Sequence, residues 1–314
     1  MKTPFYFSIP LLLVTILIAS CSKNAGPEHK SIHKPSVVLR YHNGDETQLE
    51  DFYRSVASHS TRSRINTGVP TRVEWEEDYI TLRAVSPDYP YTIYVPFEII
   101  DEITLSEAPK NEWSRNMSFL AKVKLGDGSV LQGGTYGFFV GQNSLGKVSF
   151  SLDEAYNRGA GLHTIDFVPQ AISTYQAEKW GKKTVLFHKV DTTSFRIENA
   201  AFAKPMLNEN GCWLGDEPSD VLDFESKESM LEIPWEKISD IVPEETTDNY
   251  KERLRIVGMD GASMKGYCPA YVYTAGEIRG LAQVTDNYTL LVDVELCHYA
   301  KAPFTKIELN PDLN

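Results

Sequence analysis

Chemistry requires side chains that attack, carry protons or hold metals, so the residues able to do this come first. No Gly-x-Ser-x-Gly elbow occurs, and Cys21, Cys212, Cys268 and Cys297 have no papain-like setting. A nucleophile with its base and orienting acid is therefore not written in local sequence. Neither His-Glu-x-x-His nor Cys-x-x-Cys is present, and the adjacent Cys297 and His298 would fall on opposite faces of a strand. His29 and His33 lie in a polar stretch and are expected to be solvated rather than to share a metal. The one oxygen-rich segment is NENGCWLGDEPSDVLDFESKES, 208–229. There Asp216, Glu217, Asp220 and Asp223 could ligate calcium if the chain curled, but the spacing departs from an EF-hand loop. A solvated loop is the expected reading, with calcium as the alternative. Carboxylates such as Asp153 and Glu154 would serve glycoside hydrolysis only if folding placed a pair ~5–10 Å apart across a cleft. The stretch YNRGAGLH, 156–163, lacks the lysine of a phosphate loop and is expected to be a surface loop. No cofactor is expected.

Other elements decide where such residues would stand. Lys2 precedes an apolar run from Phe5 to Ala19, shorter than the ~20 residues of a membrane span and ending in small residues. Residues 1–20 thus read as a signal peptide. The last residues, Ile18-Ala19-Ser20-Cys21, resemble the lipobox of bacterial lipoproteins. The resemblance implies cleavage before Cys21, lipidation of its sulfur, and anchoring in the bacterial cell envelope by acyl chains. Ser22, in place of aspartate, implies by the same resemblance the outer membrane. Residues 21–35 carry Gly26, Pro27 and Pro35 without periodicity and read as a flexible, lipidated tether.

A formal charge of −12 disfavours nucleic acid as a partner, since the strongest basic cluster, KWGKK at 179–183, is short and falls in an expected linker. Hydrophobic content of 42% supports a packed core. Outside the cytoplasm thiols can oxidise. At most one disulfide is expected, with Cys268 and Cys297 the favoured pair because both fall late in the chain's second half; three buried thiols are the alternative.

The two halves resemble each other. YTIYVPFEIIDEITL, 91–105, matches SMLEIPWEKISDIVP, 229–243, with Pro96 on Pro234. Asp127-Gly128 matches Asp260-Gly261, and HTIDFVP, 163–169, matches TKIELNP, 305–311. A tandem duplication follows, with units 36–170 and 183–314 joined by a linker, 171–182. Apolar and polar residues alternate through most of each unit, as in half-buried strands, and the Asp-Gly pairs mark hairpins. The strongest helix candidate is QLEDFYRSVASHS, and a helical turn is expected after Pro96. The expected fold is mostly β: two tandem antiparallel β-sandwich or barrel-like units with few short helices. The pattern is similar to small duplicated β-rich repeats of bacterial secreted proteins, a resemblance that implies a β fold and no particular chemistry.

Alternating rings in PDYPYTIYVPF put Tyr89 and Tyr91 on one face, which could stack sugars or dock a protein, although core packing is the expected role. The expected function is a non-catalytic binding or scaffolding role in the envelope, with an envelope protein or glycan as partner. The alternative is a glycan-acting envelope hydrolase with its site between the two units.

Overall fold

Successive side chains of an extended chain face opposite sides, so an alternating sequence buries one face only by forming sheets. The computed structural model describes residues 34–59, 72–83, 91–108, 119–157, 161–168, 175–207, 212–226, 229–244, 254–268, 276–296 and 304–310. The first half supplies β1 (Val37–Tyr41), β2 (Glu46–His59), β3 (Arg72–Glu77), β4 (Tyr79–Leu82), β5 (Thr92–Pro96), β6 (Ile100–Glu107), β7 (Phe119–Leu125), β8 (Val130–Gly133), β9 (Phe138–Asn143), β10 (Gly146–Ser151), α1 (Leu152–Asn157) and β11 (Leu162–Phe167). The second supplies β12 (Lys183–Lys189), β13 (Ser194–Leu207), β14 (Trp213–Ser219), β15 (Val221–Ser226), β16 (Met230–Pro234), β17 (Ile238–Pro243), β18 (Leu254–Gly258), β19 (Ser263–Tyr267), β20 (Glu277–Gln283), β21 (Thr289–Glu295) and β22 (Phe304–Glu308). The protein is mostly β, with two large antiparallel sheets of nine and 13 strands, neither closed into a barrel.

Strand order recurs between the halves. The run β2-β1-β11-β6-β7-β8 in the smaller sheet has its counterpart in β13-β12-β22-β17-β18-β19 of the larger. Likewise β9 and β10 extend from β2 as β20 and β21 extend from β13. The bridge between Arg83 and Gly134 matches the pairing of Glu225 with Tyr267. Pro96 and Pro234 share one conformation, each leading into a 3-10 turn, Phe97–Ile99 or Trp235–Lys237. The first N–H of each turn donates to the carbonyl of Asp78 or Asp220 at 2.7 Å. Among the described residues one pairing has no counterpart: β5 lies on β21, with Tyr94, Ile93 and Thr92 opposite Leu291, Val292 and Asp293. Residues Ile32–Asn314 accordingly form one compact unit, in which a hairpin of the first repeat completes the sheet of the second.

The segment expected as the best helix is instead part of β2. Asp51 takes a left-handed φ of 50°, and the register with β9 shifts between Glu50 and Tyr53. A bulge adds one residue and bends the strand. Inward positions therefore fall at Leu49, then Phe52, and this spacing imitates a helical face. Asn199, also at φ 50°, bends β13 in the same place. Each long strand thereby pairs mainly with β1 or β12 before the bend and mainly with β9 or β20 after it. The backbones crowd there: a Cβ on Gly141 would stand 2.8 Å from Leu49 Cβ, and one on Gly280 2.6 Å from Ile197 Cγ2.

The two Asp-Gly hairpins turn with one positive φ each, at Gly128 (84°) and Gly261 (81°), rather than two. Asp127 and Asp260 accept the N–H of Ser129 and Ala262 at 2.9 Å, and Leu125 N–H donates to Ser129. These are three-residue loops closed by a left-handed glycine.

The repeats fill equivalent space differently. In the first, Phe52 lies 5.4 Å from Phe97, 5.5 Å from Phe139 and 5.9 Å from Phe167, ring to ring. In the second, Ala200 stands where Phe52 would, and the larger Trp235 replaces Phe97. Trp235 is fully buried, lies 4.6 Å from Phe202, and donates its indole N–H to the Leu309 carbonyl at 3.2 Å.

A candidate functional site at the junction of the repeats

Two strands carry charges at inward positions, and each charge faces its opposite across the sheet. Arg54 on β2 is in register with Glu77 on β3, and its Nη1 donates to Glu77 Oε2 at 2.6 Å. Arg279 on β20 is in register with Asp293 on β21 and donates to Asp293 Oδ2 from Nε at 3.2 Å and Nη2 at 2.8 Å. Arg279 Nη2 also reaches Asp216 Oδ2 on β14 at 2.8 Å. All four members of the two facing pairs are less than a tenth exposed.

Aromatic rings link the pairs. Tyr79 and Tyr94 meet edge to face at 5.3 Å; Tyr94 donates to Asp293 at 3.1 Å, and Tyr79 hydrogen-bonds Glu77. Trp75 donates to Glu77 at 3.0 Å, Trp213 donates to Asp216 at 2.9 Å, and the two indoles pack at 5.1 Å. Trp180, from the stretch between the repeats, lies 4.6 Å from the Arg279 guanidinium. The expected linker thus supplies a wall of the site. It is held close, because Gly181 N–H bonds the Asn199 carbonyl and a Cβ on Gly181 would meet the Ala200 carbonyl at 2.2 Å. The result is a closed ring of contacts through both repeats.

Burial, and then the Glu77 charge, push the Tyr79 phenol well above its ordinary value; burial does the same for Tyr94. Both phenols remain neutral donors. Burial opposes the Arg279 charge, but Tyr94, Asp293 and Asp216 outweigh it and hold the guanidinium protonated. Glu277 adds a further carboxyl 3.6 Å from Arg279. Burial first, and the Asp293 charge second, raise its pKa far above the carboxylate range, although its side chain keeps 36% of its surface. Glu277 therefore retains a proton at neutral pH.

A carboxyl whose folded pKa exceeds its unfolded one makes folding bind a proton, so stability falls as pH rises between the two values. Replacing Glu277→Gln removes that dependence. The melting midpoint should match the parent below about pH 4 and exceed it above about pH 8; differential scanning calorimetry across that range tests it. A parent and variant that track each other at every pH would exclude a protonated Glu277.

None of the ring residues except Asp216 stood out in the sequence. The readable signal was a charge inside an apolar strand, as with Arg279 in EIRGLAQ and Asp293 in TLLVDVE. Of the calcium candidates, Asp216 is bonded to Arg279 and Trp213, Glu217 is exposed on β14, Asp220 caps the turn at Trp235 through its carbonyl, and Asp223 is buried on β15. The expected acidic loop is two successive strands in its described part, β14 and β15: β14 pairs with β13 despite its Gly215 and Pro218, and β15 pairs with β16. Among the described residues no cluster of three or more His, Cys, Asp or Glu is placed to hold a metal. Asp153 and Glu154 are exposed on α1, a helix inside the stretch expected as strand and loop. Tyr91 is buried against Phe195 at 5.2 Å, a core position. Cys212 and Cys268 are buried. Cys21, His29, His33, Tyr89, Cys297 and His298 lie outside the described residues.

The chain matches no protein-family model, and no curated protein or solved structure matches it.

Proposed function

We propose that this chain is a lipid-anchored protein of the bacterial cell envelope, held at the outer membrane through Cys21, with a non-catalytic binding or scaffolding role toward an envelope protein or glycan. The single observation supporting a scaffold is the junction ring. Its acids are neutralised by buried arginines, and its phenols are fixed donors, so the arrangement stiffens the contact between repeats. No helix among the described residues is long and apolar enough to cross a membrane; anchoring rests on the lipobox at Ile18–Cys21. Replacing Cys21→Ala should move the protein from the membrane to the soluble fraction. Full retention in membranes would exclude attachment at that residue.

A second reading, a glycan-acting hydrolase, gains support from Glu277, because a protonated carboxyl beside an ionised one is the pattern of an acid catalyst. Against it, Asp293 is occupied by Arg279 and Tyr94. Turnover of an envelope polysaccharide that disappears in the Glu277→Gln variant would favour this reading over the first.

A further inference from the structure

The single strand pair without a counterpart leaves two edges behind. β5 of the first repeat is covered by β21 of the second, but among the described residues their equivalents, β16 of the second and β10 of the first, each end a sheet. We propose that β16 of one molecule pairs with β10 of a second copy, reproducing between chains the contact that β5 and β21 make within one. This goes beyond the anchoring reading and does not depend on it.

The equivalences fix the register. Pro96 corresponds to Pro234, so Thr92, Ile93 and Tyr94 correspond to Met230, Leu231 and Glu232. Asp51 corresponds to Asn199, which places Arg54 on Phe202 and, through their partners, Phe139 on Ile278. Phe150, opposite Phe139, then corresponds to Val294, opposite Ile278. Leu291, Val292 and Asp293 thus become Lys147, Val148 and Ser149. Transferred to the open edges, the β5–β21 register sets Glu232 opposite Lys147, Leu231 opposite Val148, and Met230 opposite Ser149. Opposite charges face each other, apolar residues face each other, and exposed positions meet exposed ones.

Burial gives an independent sign. Ile93, Val95, Val292 and Val294, where the pair is formed, are at most 4% exposed. Their equivalents Leu231, Ile233, Val148 and Phe150 are only half-buried. A partner strand would cover them as β5 and β21 cover one another. Because the two edges differ, the contact is head to tail and propagates into a ring or filament instead of stopping at a symmetric dimer.

Directly opposed antiparallel residues stand about 4.5–5.5 Å apart at Cα, within disulfide reach. Full-length Ser149→Cys and Met230→Cys variants, mixed and oxidised, should form a covalent dimer containing one chain of each. Lys147→Cys mixed with Met230→Cys, two residues out of register, should not. Either Lys147→Glu or Glu232→Lys should lower the cross-linked yield about fivefold, and both changes in every chain should restore it. All these positions are exposed, so melting midpoints should stay at the parent value and confirm that the variants fold. No mixed dimer, or Ser149→Cys linking to itself instead, would overturn the proposal.

Discussion

Arg279→Met is expected to lower unfolding free energy by about 3–5 kcal/mol, the typical cost of removing one partner from a buried ion pair. Methionine fills similar volume, so the loss comes from charge. Asp293, 7% exposed, and Asp216, 12% exposed, would keep their carboxylates in the interior with no cation against them. Tyr94 and Trp213 would supply only neutral hydrogen bonds to those acids. The deficit should shrink toward low pH, where the stranded acids can protonate. Urea titrations at neutral and acidic pH measure both effects. Changing Arg279→Met together with Asp293→Leu should recover much of the loss, since an apolar pair of suitable shape can replace a buried ionic one. If the single variant melts like the parent, the junction ring contributes nothing to holding the repeats together.

The second large effect is expected at Trp235. Truncation to alanine should cost about 3–5 kcal/mol. Trp235 is fully buried, and its indole N–H satisfies the Leu309 carbonyl. Loss should appear as a lower urea midpoint with an unchanged slope, which separates reduced stability from altered compactness. Leu145→Ala is the control, because Leu145 is 95% exposed at a hairpin tip and should change nothing measurable. A Trp235→Ala midpoint equal to that control would mean the site collapses without penalty.

These positions also explain how far the sequence could be read. Strand class was legible because alternation follows directly from pleat geometry, and segments such as FLAKVKL and RLRIVG need no tertiary information to declare a buried face. The duplication was visible at Pro96 and Pro234 and at the Asp-Gly hairpins, where backbone conformation limits the residues allowed. It was faint in the core, where Phe52 with Phe97 becomes Ala200 with Trp235: packing there asks for apolar side chains that fit together, not for particular identities. The failure at QLEDFYRSVASHS came from one left-handed residue, Asp51, which displaced the period by one and produced helical spacing in a strand. The strands β14 and β15 were hidden by acids and Gly215, which are poor strand formers without a neighbour to pair with. The junction ring was the least legible part, because its members come from β2, β3, β4, β5, β14, β20, β21 and the stretch at Trp180. The pairing of β5 with β21 and the packing of Trp75 on Trp213 bring them together.

That pairing also governs the order in which the molecule can be finished as it is made. Tyr94 and Asp293 bond across a separation of 199 residues. As the chain emerges from its N-terminus, the hairpin of β4 and β5 exists long before the strand that covers it. Ile93 and Val95 must wait, with one edge of their strand unpaired, until β21 has arrived. Such distant closure is slow, and a waiting apolar edge is where an unfinished molecule is open to proteolysis or to capture by its neighbours. Completion of the larger sheet at its β5 edge therefore requires β21, and a chain shortened before β21 would leave that edge of the first repeat uncovered.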